Sequence, residues 1–254
     1  MKKIIGIIPS RYQSVRFPGK PLADICGKPM IWWVYNQAKQ AHMLKELYVA
    51  TDDARIEQVC KDNGMNVLMT ENSIQTPTDR VYHVSRFLDA DVYVCINGDE
   101  PLVKPATIDL VAKTAIENPQ CYVVHAVSEI HSQTEVVDYT NLKTVANESG
   151  EALYISRSPI PYPKGCLDFS YKKLVCVYAF TREALEFFHD TPKGLIEKAE
   201  ECDIVRFLEH RKSVMFVDAH EESLSVDTLK DLDKVRLIMS NRIKSSNNLS
   251  NENL

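Results

Sequence analysis

Lys3-Ile-Ile-Gly-Ile-Ile-Pro9 begins the sequence with a nearly continuous apolar run, and a polar loop marked by proline and glycine follows it as far as Gly27. Such a run is typical of a strand that is buried on both faces of a parallel sheet. From Pro29 to about His42, apolar residues recur at the helical period. The stretch therefore predicts the first strand, loop and helix of an α/β fold.

Strand and helix patterns alternate through the first half of the chain. Strands are predicted at 46–51, 66–69, 91–97 and 122–127, and helices at 53–63, 78–88 and 105–117. This alternation predicts a doubly wound, mostly parallel sheet that binds ligands at the carboxyl ends of its strands. The pattern then changes to three strands with no helix between them, at 141–145, 151–156 and 172–180. We therefore expect an antiparallel insertion over about residues 128–180.

The rest of the chain completes a single domain. Helices are predicted at 182–189, 194–209 and 228–239, and a strand at 213–217. With 254 residues, of which 44% are hydrophobic and 26% charged, the chain has the size and composition of one α/β domain, over residues 1–242. Residues 243–254 are polar and cannot bury enough surface to order themselves, so we expect a disordered tail.

Composition excludes several classes of protein. The apolar run near the start is too short for a secretory signal, and no stretch approaches the ~20 apolar residues of a membrane helix. The seven cysteines are scattered, without a C-x-x-C pair, which favours reduced thiols over zinc ligands or disulfides. The net charge of −5 argues against a nucleic-acid partner. We expect a cytoplasmic protein that does not insert into membranes.

The loop after the first strand carries the clearest chemical signal. It contains Arg11, Arg16 and Lys20, and the segment from Met1 to Ala23 has five basic side chains and no acidic one. Guanidinium and ammonium groups at the carboxyl end of a buried strand suit a small polyanion such as a triphosphate. The loop matches neither a Walker loop nor a dinucleotide-binding fingerprint. A solvated basic surface loop is the alternative.

Two acidic residues are candidates for a metal site. Asp99, in Asn97-Gly-Asp-Glu-Pro101, follows a predicted strand and would face the same crevice as the basic loop. A carboxylate there is a natural Mg²⁺ ligand, although Gly-Asp is also a common turn. Asp227 precedes the last predicted helix, where it could be an N-cap and nothing more.

Two further polar segments leave alternatives open. Gln75-Thr-Pro-Thr-Asp-Arg80 lies between a strand and a helix. It could read the edge of a base, with Arg80 tethering the loop, or it could simply begin the helix with Thr78 as the cap. Arg157 follows a predicted strand, where it could hold a substrate carboxylate or pin a loop.

Together these segments resemble the 3-deoxy-manno-octulosonate (KDO) cytidylyltransferases, the CMP-KDO synthetases. The matching segments occur in the family's order across about residues 3–240. They are Ile-Pro-x-Arg-Tyr-x-Ser-x-Arg-x-Pro-Gly-Lys-Pro-Leu (8–22), Gly-Lys-Pro-Met (27–30), Val-Ala-Thr-Asp (49–52), Met-Thr (69–70), Gly-Asp-Glu-Pro (98–101), Ala-Leu-Tyr-x-Ser-Arg (152–157), Ile-Pro (160–161) and Val-Asp-Thr (226–228).

The resemblance implies a nucleotide-diphospho-sugar transferase-like α/β fold and a homodimer built largely through the antiparallel insertion. It also implies Mg²⁺ and a reaction in which CTP and a 3-deoxy-2-ulosonic acid give a CMP-sugar and pyrophosphate. Such products supply lipopolysaccharide or capsule biosynthesis. No covalent enzyme intermediate is needed, because the anomeric hydroxyl can attack the α-phosphorus in line.

The resemblance also implies roles for individual residues. Those expected to bind CTP are Arg11, Ser14, Arg16, Lys20, Gln75, Thr76, Arg80 and Asp99, of which Arg16, Lys20 and Asp99 are also catalytic. Those expected to hold Mg²⁺ are Asp99 and Asp227. Those expected near the sugar are Asn97, Arg157, Tyr178 and Asp203.

Departures from the family pattern cluster on the sugar side. The chain has Asn97 where the family usually has glutamine, Leu174 where it has histidine, Asp203 where it has glutamate and Ile204 where it commonly has glutamine. Polar groups that hold substrate hydroxyls discriminate strongly, so these changes affect which acid fits. The chain is therefore either a divergent KDO enzyme, which is our default, or an enzyme that activates another acidic sugar with CTP.

Two other classes of protein remain as rivals. A nucleotide-sugar glycosyltransferase shares the strand-end carboxylate and the metal, but normally lacks a long basic loop for a triphosphate. A non-catalytic nucleotide sensor would bind CTP without turnover.

Overall fold

A computed structural model describes residues 2–13, 17–165, 168–220 and 224–251. Its strands lie close to the predicted positions, and two short strands are added in the loop region before the first helix. The strands are β1 (Ile4–Ser10), β2 (Asp24–Ile25), β3 (Lys28–Pro29), β4 (Glu46–Thr51), β5 (Val67–Met69), β6 (Val92–Ile96), β7 (Val123–Glu129), β8 (Lys143–Ala146), β9 (Ala152–Ser156), β10 (Lys172–Phe180) and β11 (Val214–Asp218). The helices are α1 (Met30–Ala38), α2 (Ala54–Asp62), α3 (Pro77–Ser85), α4 (Pro105–Glu117), α5 (Gln133–Val137), α6 (Arg182–Asp190), α7 (Leu195–Glu200), α8 (Asp203–Glu209) and α9 (Leu229–Asn251).

A single central sheet has the strand order β11-β7-β10-β6-β1-β4-β5. β1 is parallel to β4 and β6, β4 is parallel to β5, and β7 is parallel to β11. β10 is antiparallel to both of its neighbours, β6 and β7. The predicted mostly parallel α/β sheet is confirmed.

The side chains of β1 alternate between two hydrophobic cores, one on each face of the sheet. Ile4 and Ile8 pack into a core shared with α1, α2 and α4. Ile5 and Ile7 pack into a second core, shared with α3, α6 and α8. Because helices cover both faces, ligands are left with the loops at the carboxyl ends of the strands.

The antiparallel insertion is shorter than the predicted span of 128–180. β8 and β9 form an antiparallel hairpin, and β8 pairs with β10 only at Lys172 and Lys173. The later residues of β10 pair with β6 inside the central sheet. The prediction was wrong at this end because a strand pattern shows length and burial but not which strand will be the partner.

Two helical predictions need correction, and one helix was not predicted. The helix predicted at 194–209 is divided into α7 and α8 at Glu201, whose φ of 48° lies in the left-handed region. The helix predicted to reach His42 ends at Ala38. The short helix α5 was not predicted, since five residues are too few to show a helical period.

The last helix, α9, continues past its predicted end at Met239 to Asn251. This corrects the predicted boundary at residue 243. The sequence from Leu229 onward contains no glycine or proline that would stop a helix. None of the helices in the described ranges is long and apolar enough to cross a membrane.

Candidate active site

The loop after β1 turns back at Gly19. The Gly19 amide donates to the Tyr12 carbonyl at 2.8 Å, and its φ is 72°, which side chains with a β-carbon rarely adopt. A β-carbon at this position would also lie 3.1 Å from the Tyr12 ring. One 3₁₀ turn follows, Lys20–Leu22. The glycine therefore directs Lys20 toward the carboxyl end of β6, where Asp99 lies.

The Lys20 ammonium lies between two carboxylates. Its Nζ is 2.6 Å from Asp99 Oδ2 and 3.4 Å from Asp227 Oδ1. Burial would lower the pKa of Lys20, but the two carboxylates together outweigh burial and raise the pKa above its ordinary value. Lys20 is therefore a fixed cation that joins the basic loop to both predicted metal ligands.

Asp227 is held at this site by the backbone. The Val226 amide donates to the Asp99 carbonyl at 2.9 Å, which ties the segment before α9 to the turn after β6. Thr228 makes the capping contact of α9, because its Oγ1 accepts from the Asp231 amide at 3.4 Å. Asp227 is thus not the N-cap that the local sequence allowed, and its carboxylate faces Lys20 instead.

Asp99 has an oxygen atom that suits a metal ion. Its Oδ1 is buried and has no hydrogen-bond partner in the described part of the chain, which is costly for a carboxylate. Mg²⁺ usually takes one or two carboxylates and completes its shell with substrate phosphates and water. Asp99 and Asp227 fit such a site. The described residues contain no cluster of three or more side chains that could hold a metal by themselves.

A cleft of about 1050 Å³ opens beside this ion-pair cluster at the ends of β1 and β6. Six of the predicted nucleotide-binding residues line it: Arg11, Lys20, Gln75, Thr76, Arg80 and Asp99. The other two, Ser14 and Arg16, lie outside the described residues. The size and the basic lining suit a triphosphate nucleotide.

Two of the cleft residues are fixed parts of its wall. The buried guanidinium of Arg80 donates to Asp52 Oδ2 at 3.1 Å and to the Thr70 hydroxyl, which agrees with the tethering role considered for it. Burial lowers the pKa of Arg80, although Asp52 opposes the change. Thr76 accepts from the Asp79 amide at 3.0 Å and caps α3. The cap is therefore Thr76 and not Thr78.

A second cavity, of about 590 Å³, adjoins the cleft at Asn97. Three of the predicted sugar-side residues, Asn97, Tyr178 and Asp203, line it together with Asp227. The Tyr178 hydroxyl donates to Asn97 Oδ1 at 3.3 Å. Burial raises the pKa of Asp203. The two cavities therefore meet at Asn97, between the predicted nucleotide-binding residues and the predicted sugar-binding residues.

Arg157 is the predicted sugar-side residue that the structure does not bring to the second cavity. Its guanidinium donates to the carbonyls of Glu200 and Tyr139, at 2.8 and 2.9 Å. Its amide donates to Glu200 Oε2 at 2.8 Å. In this arrangement Arg157 pins the loop before α8 to the insertion, which is the alternative that the sequence left open.

Several polar residues of the two cavities were missed by sequence reasoning. Arg55 lines the cleft, with its guanidinium carbon 3.2 Å from the centroid of the Tyr12 ring. Lys173 lines the second cavity and pairs with Glu135 at 2.8 Å. His125 lines it too, from the middle of a strand. Their segments match helix or strand patterns, which carry no signal for a binding site.

Comparison with known proteins adds to this geometry. A family model described as cytidylyltransferase matches residues 5–223. The 3-deoxy-manno-octulosonate cytidylyltransferase of Escherichia coli is 36% identical over 246 residues, covering 96% of this chain and 98% of that protein. The one from Desulfosudis oleivorans is 38% identical over 241 residues, covering 93% and 97%. A solved structure of a CMP:2-keto-3-deoxy-manno-octonic acid synthetase complexed with CTP matches with a TM-score of 0.90 and 36% identity, covering 94% of this chain and 99% of that one.

Gly98 allows the turn that carries Asp99 to lie against β1. A β-carbon at Gly98 would come within 2.5 Å of Ser10 Oγ and 2.9 Å of the Pro9 carbonyl oxygen. We expect Gly98→Ala to push this turn away from β1 and to lower the free energy of unfolding by about 1–3 kcal/mol, the usual cost of overpacking. Denaturant unfolding measures the loss, and titration with CTP tests whether the displaced Asp99 weakens nucleotide binding.

The matched control is Gly165→Ala, because no atom of the described residues lies within 4 Å of a β-carbon there. If both variants unfold at the same denaturant concentration as the unaltered protein, the close approach at Gly98 does not constrain the site.

Proposed function

The chain belongs to the cytidylyltransferase family and is therefore a nucleotidyltransferase, and we propose that it couples CTP to KDO or a close 3-deoxy-2-ulosonic acid. The products are the CMP-sugar and pyrophosphate. The observation that carries the proposal is the position of Lys20, Asp99 and Asp227. Their charges lie at the junction of a triphosphate-sized cleft and a second polar cavity.

The nucleotide end of the reaction uses the basic side chains of the cleft. In this proposal Arg11 and Lys20 bind the phosphates of CTP, as does Arg16, whose role rests on the family motif. The α-phosphoryl group gains negative charge as the new bond forms, so a fixed cation beside it lowers the barrier. Lys20 fits that role because Asp99 and Asp227 keep it protonated and in place.

The metal proposed for this site is Mg²⁺, held by Asp99 and Asp227. When bound, it would withdraw charge from the phosphates and lower the pKa of the attacking hydroxyl. Asp99 Oδ1, which has no hydrogen-bond partner among the described residues, is the atom that supports this assignment.

The acidic sugar is proposed to bind in the second cavity, next to Asn97 and Tyr178. Its anomeric hydroxyl then faces the junction with the cleft, where it attacks the α-phosphorus in line and expels pyrophosphate. The relatives named above act on KDO according to their names, and their close similarity over the whole chain supports the same acid here. Leu174 and Ile204, which line the cavity as apolar groups, favour a differently substituted acid as the second candidate.

The test is a pyrophosphate-release assay with CTP, Mg²⁺ and a panel of 2-keto-3-deoxy acids that includes KDO. We expect one equivalent of pyrophosphate for each CMP-sugar formed, and loss of the activity when a chelator removes the metal.

Two outcomes would overturn the proposal. Failure with every acid, together with sugar transfer from a CMP- or UDP-sugar, would indicate a glycosyltransferase. CTP binding without turnover under all conditions would indicate a nucleotide sensor.

Lys20→Ala removes the cation between the two carboxylates. We expect kcat for pyrophosphate release to fall about a hundredfold, the scale of losing one transition-state contact. Lys113→Ala serves as the control, because Lys113 is an exposed lysine on α4. Unaltered kcat in Lys20→Ala, or a defect confined to thermal stability, would contradict the catalytic role of Lys20.

We also propose that the protein is a cytoplasmic homodimer, with the β8–β9 hairpin at the interface. Among the described strands β9 forms a ladder only with β8, and the contact with β11 is an isolated bridge from Glu151 to Met215, so most of its other edge carries no strand and is available to a second copy. Leu153 on β9 is 59% exposed, and Tyr139 and Tyr162 of the insertion are exposed too. Exposed apolar groups beside an open strand edge are typical of a covered surface. The six described cysteines are all free, which fits a reducing compartment.

Leu153→Lys would place a charge on the proposed interface. Because burying an unpaired ammonium is costly, we expect the variant to be monomeric at concentrations where the unaltered protein is a dimer. Light scattering coupled to gel filtration measures the mass. Phe87→Lys is the control, since Phe87 is a similarly exposed apolar residue outside the insertion. A dimeric Leu153→Lys protein would argue against this interface.

A further inference from the structure

His125 places a polar ring in the wall of the second cavity, and the proposed reaction leaves that ring without a role. It lies on β7 directly opposite Tyr178 of β10 in the sheet register. The two rings are stacked, with centroids 4.7 Å apart and planes within 10° of each other. Only 3% of His125 is exposed. A leucine or phenylalanine would pack equally well at this position, so packing alone does not explain why the buried side chain is polar.

The hydrogen bond of His125 fixes its tautomer. Nδ1 lies 2.9 Å from the Ala126 carbonyl oxygen, and since a carbonyl oxygen only accepts, Nδ1 carries the proton. Burial lowers the pKa of His125 to about 4, so the ring is neutral at physiological pH. Nε2 is then unprotonated and can only accept a hydrogen bond.

Nε2 also has access to the cavity. His125 makes no other hydrogen bond within the described ranges, and it lines the second cavity. The side-chain nitrogen and oxygen atoms of the described residues that are both fully buried and unpartnered are Ser10 Oγ, Thr78 Oγ1, Asp99 Oδ1 and Ser128 Oγ. Nε2 is not among them and has no other partner there, so it keeps some exposed surface, and the second cavity is the space that His125 borders.

We propose that His125 is a specificity-determining residue, whose Nε2 accepts a hydrogen bond from a hydroxyl group of the acidic sugar. This inference rests on the function proposed above, and it names which chemical group of the substrate the site reads. A carboxylate cannot be the partner, because two acceptors repel. The sugar therefore presents a hydroxyl to the His125–Tyr178 wall, and its carboxylate faces elsewhere.

The neighbouring groups restrict the position of that hydroxyl. The Tyr178 hydroxyl donates a hydrogen bond to Asn97 Oδ1, and this bond aligns the phenol and the amide at the junction with the cleft. The sheet register places His125 beside Tyr178, and the stacked rings hold the imidazole against rotation. A hydroxyl bound to Nε2 is thus recognised by a rigid acceptor, and a substrate without it leaves that acceptor unpaired.

The test compares two variants of similar size in the pyrophosphate-release assay. His125→Leu removes both ring nitrogens, and we expect KM for the acid to rise about tenfold, the effect of losing about 1.4 kcal/mol of hydrogen bonding. KM for CTP should not change, because His125 does not line the cleft. His125→Gln keeps a polar group at the position of Nε2 and should recover most of the loss.

Substrate analogues then identify the hydroxyl. The unaltered enzyme should lose about tenfold in kcat/KM when one particular hydroxyl of the acid is replaced by hydrogen. His125→Leu should show no further loss for that analogue. His83→Leu is the matched control, as His83 lies on α3 and lines neither cavity.

The outcomes separate the two proposals. Suppose that the unaltered enzyme releases pyrophosphate. If His125→Leu then keeps the KM for the acid, or if its kcat/KM falls as much with every analogue as that of the unaltered enzyme, His125 is only a packing residue and this inference fails. If the unaltered enzyme releases no pyrophosphate with any acid, the proposed function itself fails first. Should His125→Leu fold poorly, as KM for CTP and thermal melting would reveal, the analogue series with His125→Phe decides in its place, because phenylalanine keeps a flat ring against Tyr178 but has no ring nitrogen.

Discussion

The ion-pair cluster of Lys20, Asp99 and Asp227 is the interaction on which the rest of the site depends. Two carboxylates directed at one point repel each other, and the Lys20 ammonium makes their approach favourable. The three residues come from opposite ends and the middle of the chain, so each needs a backbone feature that delivers it. Gly19 turns the first loop back, Gly98 lets the turn after β6 lie against β1, and the amide before Asp227 bonds to that same turn. The cleft exists because these contacts hold its edges together.

The reversed strand β10 explains why a second cavity adjoins the first. The described strand pairs of the central order that do not include β10 are parallel. The loops at the edge that contains the cleft therefore mostly follow the carboxyl ends of strands. β10 instead enters the sheet at this edge, and its early residues extend beyond the end of β6. A register shift lies between Leu174 and Tyr178, as at bulges that redirect side chains near active sites. Leu174, Val175 and Cys176 line the second cavity as a result.

Sequence reasoning recovered the fold and selected six residues that the structure brings to one cleft, because both depend on local signals. A buried apolar strand followed by a basic loop identifies Lys20, and the rule for strand ends places Asp99 beside it. Asp227 required the family resemblance, since its local sequence equally suits a helix cap. Arg157 was placed near the sugar by resemblance alone, and its hydrogen bonds to carbonyl groups hold it away from the second cavity. His125 gave no signal, because one histidine in the strand Val-Val-His-Ala-Val is indistinguishable from a core residue.

This difference has a physical cause that bears on how such enzymes diverge. The proposed nucleotide end is built from glycine turns and charged loop residues, where a change disturbs the backbone or leaves a charge unpaired. The proposed sugar end is built from single side chains that project from strands, a helix and loops into a cavity. One such side chain can be apolar without moving the backbone, as Leu174 on β10 and Ile204 on α8 are, whereas each polar group penalises any acid that leaves it unpaired. In the proposed function, discrimination among acids is therefore concentrated in the few polar groups of that wall, Asn97, Tyr178 and His125, while CTP is bound in the cleft.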